Sequence, residues 1–480
     1  MVDSLDQRGE PLASAFRNIL RLSAGDAVAK TLNFLAFVYL ARILGVERFG
    51  MLEFAGGLLV YFLLLADGGL EMWATRESSR TSNLKALAGR ILPLRILLAL
   101  VATALLFAIR PFLPAYPQLS LVMGLYSLSL FAQAASLKWA FLGREEMSRV
   151  AWGLVLSQVA FAALVLLFVH GPENVAVVPL LRFGSDAVLA GYFAAVFGRA
   201  HGWGIPVTLR GASVVLRPAL TIGTSQAMGL LNYNFDSVLL GFLTTARTVG
   251  LYNAAYKPVT IALALPLTYF VGLFPALSRT HAESREEFRG LVERSLRLAG
   301  LMAAPLAAGG TLLAAPVIAL LFGESYAESA SVLPILIWSA VFVILRGSYR
   351  HALTAAGHQA LDLHCAMVST GLNVGLNLLL IPRYGMIGAA SATVIGDLAW
   401  FVLAYAFFQM RVIPMPALPC LWRPLVAGAG MAAFLWFTQA ISMQWILRGL
   451  ASLAIYAGCL VVIGEPETCA WMRRRSKREN

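Results

Sequence analysis

The hydrophobic pattern of this chain is a series of long apolar segments separated by short polar or charged connections. A membrane-spanning helix needs about 20 mostly apolar residues, and turn-forming or charged residues separate successive helices. The pattern therefore predicts about fourteen transmembrane helices. The predicted segments are 19–41, 51–73, 88–109, 117–139, 150–170, 175–197, 218–242, 251–275, 298–322, 331–353, 362–382, 386–409, 424–440 and 445–464. The longer connection at 279–297 carries acids and bases at helical spacing, which predicts a helix at the membrane surface.

Composition supports the membrane class. Hydrophobic residues make up 59% of the 480 residues and charged residues only 13%, and the mean hydropathy is +0.75. Soluble domains carry about 25% charged residues, so this composition excludes an ordinary soluble enzyme. It also excludes intrinsic disorder, which requires low hydrophobicity and high charge. The fold class is all-α and polytopic.

The basic residues predict the orientation of the chain in the membrane. The net charge is +12, and basic residues collect in cytoplasmic loops. With a cytoplasmic N-terminus, 28 of the 37 Lys and Arg residues fall on the cytoplasmic side. The outer loops hold only Arg42, Arg48, Arg110, Arg247 and Arg383. This bias predicts a multi-pass protein of the cell inner (plasma) membrane with both termini in the cytoplasm.

An internal repeat predicts how the helices are organised. Residues 40–55 (LARILGVERFGMLEFA) and 241–256 (GFLTTARTVGLYNAAY) align at an offset of 200, with Gly50 on Gly250, and 384–390 (YGMIGAA) is similar to them. The offset spans six helices, so the two halves keep the same orientation and form a parallel repeat about an axis along the membrane normal. The predicted divisions are a cytoplasmic N-terminus (1–18), an N-lobe of helices 1–6 (19–199), a cytoplasmic linker (200–217), a C-lobe of helices 7–12 (218–410), helices 13–14 (411–466) and a basic cytoplasmic tail (467–480).

Three blocks carry a resemblance to a known family. They are ARILGVERFGMLEFAGGLLVYFLLLADGGLE (41–71), FDSVLLGFLTTARTVGLYNAAYKPV (235–259) and LNVGLNLLLIPRYGMIGAASATVIGD (372–397). The chain resembles the polysaccharide-transport family of oligosaccharide (O-antigen) flippases, in the multidrug/oligosaccharidyl-lipid/polysaccharide superfamily. The resemblance implies two six-helix lobes facing each other in a V, plus two C-terminal helices. It also implies that the protein moves an isoprenoid-pyrophosphate-linked repeat unit of O-antigen, capsule or exopolysaccharide from the cytoplasmic to the outer leaflet.

Other functions on the same fold remain open at this point. A cation or drug antiporter would favour acids in its lumen and would usually stop at twelve helices. A peptidoglycan-precursor (lipid II) flippase shares the superfamily and the fourteen spans, and a scaffold for a glycan polymerase is a non-transport alternative. The sequence contains no GxxxxGK[ST] loop, no HExxH and no dinucleotide motif, so we expect no catalytic residues, metal or organic cofactor. Coupling to H⁺ or Na⁺ remains open, and the expected partners are the lipid-linked oligosaccharide, membrane lipids and glycan polymerase machinery, with no nucleic acid.

Ionisable residues inside the predicted spans are the candidate site, because placing a charge in hydrocarbon costs at least about 2.5–3.5 kcal/mol. A pyrophosphate crossing the membrane requires compensating cations, and Arg contacts phosphate bidentately. The predicted substrate-binding residues are the basic and amide side chains of helices 1, 7, 8 and 10: Lys30, Lys257, Arg346, Arg350, Asn232 and Asn234. The predicted charge-pair or ion-coupling residues are Asp26, Asp236 and Asp397.

Each of these residues also has a purely structural interpretation. Asp26 and Lys30 lie four residues apart on one helical face, as do Arg182 and Asp186, and such pairs stabilise a helix by themselves. Asp236 is expected at the same depth as Lys257 and could neutralise it. Arg346 and Arg350 have no acid close by in the chain and could instead reach the cytoplasmic headgroups.

Overall fold

The computed structural model describes the backbone of residues 9–440 and 444–465 and the side chains of 25–224, 235–439 and 444–465. Within these ranges the regular secondary structure is helical throughout. The α-helices in chain order are α1 (Gly9–Asp67), α2 (Leu70–Ser78), α3 (Leu84–Ala108), α4 (Leu119–Ala134), α5 (Lys138–Gly143), α6 (Met147–Phe168), α7 (Val177–His201), α8 (Ala212–Leu243), α9 (Ala246–Glu283), α10 (Arg285–Leu312), α11 (Ala314–Phe322), α12 (Leu333–Ala355), α13 (Gln359–Arg411), α14 (Leu418–Phe437) and α15 (Trp445–Val462). Short 3₁₀ turns lie at Arg110–Phe112, Pro172–Ala176, Glu324–Ser331 and Thr438–Ala440.

The helices confirm a multi-pass, all-α membrane protein. In the part of the chain that the structure describes, ten helical stretches are long and apolar enough to cross a bilayer. The number rises to eleven if α10 and α11, which are bent by 77° at their junction, form one span. Each of the predicted apolar segments overlaps at least one α-helix of the structure.

Two helices consist of two helical segments joined by a kink at a glycine, and each is therefore much longer than a bilayer requires. Helix α1 has 59 residues and is broken at Gly45 (φ 75°). Helix α13 has 53 residues and is broken at Gly385 (φ 53°). A left-handed backbone is accessible to glycine at little cost, so the chain changes direction there while hydrogen-bonded helix continues on both sides. The sequence pattern placed a turn at both positions, and the structure has a kink.

The predicted surface helix at 279–297 is not a separate element. Helix α9 continues to Glu283, and α10 starts at Arg285. The Ser284 side chain between them accepts a hydrogen bond from the backbone N–H of Glu287 at 3.3 Å, and such an N-cap stabilises the start of a new helix. The charged stretch is therefore the end of one long helix and the beginning of the next.

The chain divides into two compact units, Met1–Asn253 (unit 1) and Ala254–Asn480 (unit 2). Unit 1 has a buried cluster that includes Trp139 and Phe193, contributed by α5 and α7. Unit 2 has a buried cluster that includes Phe288, Tyr349 and Phe408, from α10, α12 and α13. The lobe boundaries proposed from the sequence remain a prediction.

The two glycines that the repeat aligns lie against one another within unit 1. A Cβ atom on Gly50 would lie 1.8 Å from the carbonyl oxygen of Ala246 and 2.6 Å from the amide nitrogen of Gly250. A Cβ on Gly250 would lie 2.2 Å from the carbonyl oxygen of Val46. The helix segments that begin at the equivalent turns therefore touch backbone to backbone, which only residues without a side chain permit.

Candidate functional site

The first predicted pair forms as its spacing requires. The Lys30 Nζ lies 2.7 Å from the Asp26 Oδ2, one turn earlier on α1. Both side chains are about half exposed, at 56% for Lys30 and 45% for Asp26. Part of each charged group is therefore accessible to a second partner.

Asp236 is buried near the C-terminal end of α8, where the hydroxyl of Tyr252 on α9 donates a hydrogen bond to its Oδ2 at 3.1 Å. One residue further along each helix, the Ser237 hydroxyl donates to Asn253 Oδ1 at 3.1 Å. These two bonds join the end of α8 to the start of α9. Lys257 is half-buried further along α9 and belongs to unit 2.

Three predicted features of this region therefore remain predictions. One is the pairing of Asp236 with Lys257, which belong to different units. The others are the roles of Asn232 and Asn234 on α8, whose side chains lie outside the described residues.

Arg346 is paired with an acid that lies 51 residues away in the chain. Its Nη1 is 2.6 Å from Asp397 Oδ1, and the guanidinium lies 3.9 Å from the ring centroid of Trp400. Asp397 also accepts a short hydrogen bond from the hydroxyl of Ser339. The Arg346 and Asp397 side chains are 8% and 10% exposed. The sequence left Arg346 without a nearby acid, but helix packing supplies one from α13.

Arg350, one turn later on α12, is paired differently. Its Nε lies 3.1 Å from the Oδ2 of Asp362, in the first turn of α13. Trp400 donates its indole N–H to the other oxygen of Asp362 at 3.3 Å, and the Arg350 guanidinium lies 5.5 Å from the same indole ring. The Arg350 side chain is 46% exposed. Trp400 thus touches both ion pairs, which makes the two arginines one connected site.

Sequence reasoning missed Asp362, Trp400 and Ser339 as members of this site. A partial signal was available, since Asp397 and Trp400 lie three residues apart and so share a face of α13. Two asparagines of the same helix, Asn373 and Asn377, are also buried, and Asn377 donates a hydrogen bond to the side-chain oxygen of Asn373 at 3.1 Å.

A second buried charge cluster lies in unit 1, where the sequence indicated only cytoplasmic basic residues. Arg95 on α3 is 4% exposed and lies 3.2 Å from Asp67 and 3.6 Å from Glu71. It also donates to the carbonyl oxygen of Ser136 at 2.9 Å, and Lys138 lies 2.7 Å from Glu71. Arg95 therefore connects the junction between α1 and α2 to the junction between α4 and α5.

The other intrahelical pair of the sequence prediction is present but loose. Arg182 Nε lies 3.6 Å from the buried Asp186, and the Arg182 guanidinium lies 5.5 Å from the ring centroid of Phe161. Arg182 is 30% exposed, whereas Asp186 is 3% exposed. This pair neutralises a buried acid on α7, in line with its structural interpretation.

Unit 2 also contains an apolar cavity of about 530 Å³ between α10, α12 and α14. Its wall is made of small residues such as Ala304 and Gly428, with Trp338 and Trp436 among the large ones. Among the described residues, no group of three or more His, Cys, Asp or Glu side chains could hold a metal ion. The chemistry that these sites offer is the binding of anions by arginine and lysine and of apolar chains by the cavity.

Comparison with known proteins adds a sequence family and a fold. A family described as "Polysaccharide biosynthesis protein" matches residues 15–281. A putative O-antigen transporter of Escherichia coli (strain K12) is 23% identical over 376 residues, which cover 76% of this chain and 88% of that protein. A probable low-salt glycan biosynthesis flippase of Haloferax volcanii is 22% identical over 78% of this chain and 80% of that protein.

Solved structures show the same fold at low sequence identity. The lipid II flippase MurJ, in an inward closed conformation, matches with a TM-score of 0.77 at 12% identity and covers 94% of this chain and 99% of that one. An inward-facing multidrug resistance transporter of the MATE family and the MOP superfamily matches with a TM-score of 0.67 at 16% identity, over 82% of this chain and 98% of that one.

Proposed function

The chain belongs to the polysaccharide biosynthesis protein family, whose match covers more than half of its length, and on that basis we propose that it is a lipid-linked oligosaccharide flippase. It moves an isoprenoid-pyrophosphate-linked repeat unit of O-antigen, capsule or exopolysaccharide from the cytoplasmic to the outer leaflet by alternating access. The observation that carries this proposal is the similarity, over most of both chains, to proteins named as an O-antigen transporter and a glycan flippase.

The proposed arrangement in the membrane has fourteen crossings. Helices α1 and α13 each supply two crossings, one before and one after the glycine kink. The bent pair α10–α11 supplies one crossing, and α8 supplies a further one. The excess of Lys and Arg in alternate loops supports cytoplasmic termini. A plasma-membrane location follows, because there the lipid-linked precursors have to change leaflet.

The charges and the apolar cavity support a lipid cargo with an anionic headgroup. We propose that Lys30 and Lys257 contact the pyrophosphate and that Asp26 and Asp236 neutralise them between transport cycles. The apolar cavity of unit 2 would accept an isoprenoid chain, since its almost entirely apolar wall is similar to the lipid tails that surround the chain in the bilayer. Asn232 and Asn234 are proposed to hydrogen-bond the sugars, and coupling to H⁺ or Na⁺ through the acids remains a prediction.

Deletion and complementation in the organism that encodes the chain test this proposal. We expect the deletion strain to lose surface glycan and to trap lipid-linked units on the cytoplasmic leaflet. Lys30→Ala and Lys257→Ala should fail to restore the glycan at matched membrane expression. The control Arg289→Ala, which removes a half-exposed arginine from a pair with Glu293, should restore it.

Other outcomes of the same experiment contradict the proposal. Normal glycan in the deletion strain together with altered sensitivity to cationic compounds would indicate a drug antiporter. Loss of cell-wall precursor transport would indicate a lipid II flippase. Retention of glycan export by both lysine variants would leave a flippase but reject the proposed cationic contacts.

A further inference from the structure

Arg350 has half of its guanidinium group open. Its Nε is bound to Asp362, and within the described ranges its other contact is with the face of the Trp400 ring. The two terminal nitrogens therefore have no assigned hydrogen-bond acceptor, and the side chain is 46% exposed. Two parallel N–H groups of this kind match two oxygens of a phosphate group.

The orientation of this open edge is fixed by two neighbours. Asp362 binds Nε with one carboxylate oxygen and accepts the Trp400 indole N–H with the other. Trp400 is itself only 8% exposed, so the indole is held by the core of unit 2. A guanidinium that is already oriented loses less conformational entropy when it binds an anion.

Arg346 cannot serve in the same way. It is buried against Trp400 and paired with Asp397, whose second oxygen is occupied by Ser339. Removing one partner of a buried ion pair is strongly destabilising, because the remaining charge is left uncompensated. An anion therefore finds an accessible guanidinium at Arg350 and a fixed one at Arg346.

We propose that Arg350 binds a phosphate group bidentately through its terminal nitrogens, and that Asp362 and Trp400 position it. The assignment of that phosphate to a lipid-linked cargo rests on the proposed function. The same chemistry is offered by an isoprenoid pyrophosphate, by a phospholipid headgroup and by free pyrophosphate, and the experiment separates these sources.

The test measures binding of farnesyl pyrophosphate to the purified full-length chain in phosphatidylcholine nanodiscs. We expect Arg350→Lys to weaken binding at least about tenfold, since lysine provides a point charge and no fork. The matched control is Arg423→Lys, because Arg423 also lies over a tryptophan, Trp422 at 5.2 Å, and is 30% exposed. This control should bind within about twofold of wild type.

Two substitutions of Asp362 separate positioning from folding. Asp362→Asn keeps an oxygen that can accept the Nε–H, although its NH₂ group then faces the Trp400 N–H. Most of the binding should therefore be retained. Asp362→Ala removes the acceptor and should weaken binding nearly as much as Arg350→Lys. Thermal unfolding checks that the two variants are equally stable, and recovery of binding in the asparagine variant is a result that a merely structural role would not produce.

Comparator ligands complete the test. Farnesol should not bind at this site, and failure of phosphatidylglycerol to displace farnesyl pyrophosphate supports a cargo site. Equal affinity of wild type and Arg350→Lys for farnesyl pyrophosphate would overturn the proposal that Arg350 binds the phosphate. Displacement by phosphatidylglycerol or free pyrophosphate at equal concentration would reject the assignment of that phosphate to a lipid-linked cargo. If the deletion strain lacks surface glycan, the flippase proposal stands whether or not Arg350 binds the phosphate. Normal glycan in that strain rejects the flippase proposal itself.

Discussion

The buried pair of Arg346 and Asp397 makes a quantitative prediction about stability. Asp397→Leu would leave the guanidinium of Arg346 buried against Trp400 without a counter-ion, at a cost of about 3–5 kcal/mol. Arg346→Met would leave the carboxylate buried with Ser339 as its remaining partner. We therefore expect each single substitution to lower the free energy of unfolding by several kcal/mol, since both side chains are at most 10% exposed.

The double variant Arg346→Met/Asp397→Leu distinguishes a charge effect from a packing effect. Removing both charges eliminates the uncompensated ion, and hydrophobic replacement of a buried pair is often neutral or better. Two losses remain. The contact between Arg346 and the Trp400 ring is worth about 2 kcal/mol when desolvated, and the Ser339 hydroxyl loses its acceptor, at about 1–3 kcal/mol. The two single losses together amount to about 6–10 kcal/mol, against about 3–5 kcal/mol for the double variant. The double variant should therefore lose less stability than the two single variants combined, by at least about 1 kcal/mol.

The assay is unfolding of the purified chain in mixed micelles with increasing SDS, followed by tryptophan fluorescence and circular dichroism. The control cycle uses Arg289 and Glu293, an exposed pair at 2.9 Å, whose coupling energy should be about 0.3–0.5 kcal/mol. The reasoning is refuted if the two cycles give the same coupling energy, because burial would then have no influence on the strength of the pair.

Three further changes test the packing and charges of unit 1. Gly50→Ala should prevent folding, because the new Cβ would lie 1.8 Å from the carbonyl oxygen of Ala246. Gly56→Ala has no atom within 4 Å of the new Cβ and should fold. Size-exclusion chromatography of the two purified variants distinguishes folded from aggregated protein. Arg95→Ala should lower the free energy of unfolding by about 3–5 kcal/mol, because Asp67 and Glu71 lose their buried counter-ion. An unchanged midpoint of SDS unfolding would contradict this. Tyr252→Phe should cost about 1–3 kcal/mol, since the buried carboxylate loses a hydrogen-bond donor, and an unfolding curve that overlays wild type would count against that bond.

Much of the fold could be predicted from the sequence because a bilayer restricts the length and composition of a spanning helix. The apolar segments appear in the structure as helices, and the residues on either side of the glycine kinks were assigned to separate spans. What the pattern could not give is whether the helix stops at such a position. At Gly45 and Gly385 only the backbone conformation shows that the helix resumes after a kink.

The residue pairs of the candidate site also fall into those that the sequence predicts and those that it does not. Pairs within one helix, such as Asp26–Lys30, follow from the helical repeat and are present. Pairs between helices depend on which helix faces are in contact and on the relative register of the two helices, and neither can be predicted from a single sequence. The partner of Arg346 is therefore found only by packing α12 against α13, which turns an apparently unpaired cation into a neutral, buried pair.

This division changes how charge substitutions in such a transporter should be interpreted. A cation that is buried with a fixed partner, as Arg346 is, contributes to the stability of its unit, so its loss reduces transport by reducing folded protein. A cation with an exposed edge, as Arg350 is, can exchange or add a partner, so its loss should reduce transport while the protein stays folded. Because both lie one turn apart on the same helix, activity alone cannot separate the two roles. The amount of folded protein in the membrane has to be measured beside transport, and the ratio of the two assigns each arginine to the scaffold or to the cargo.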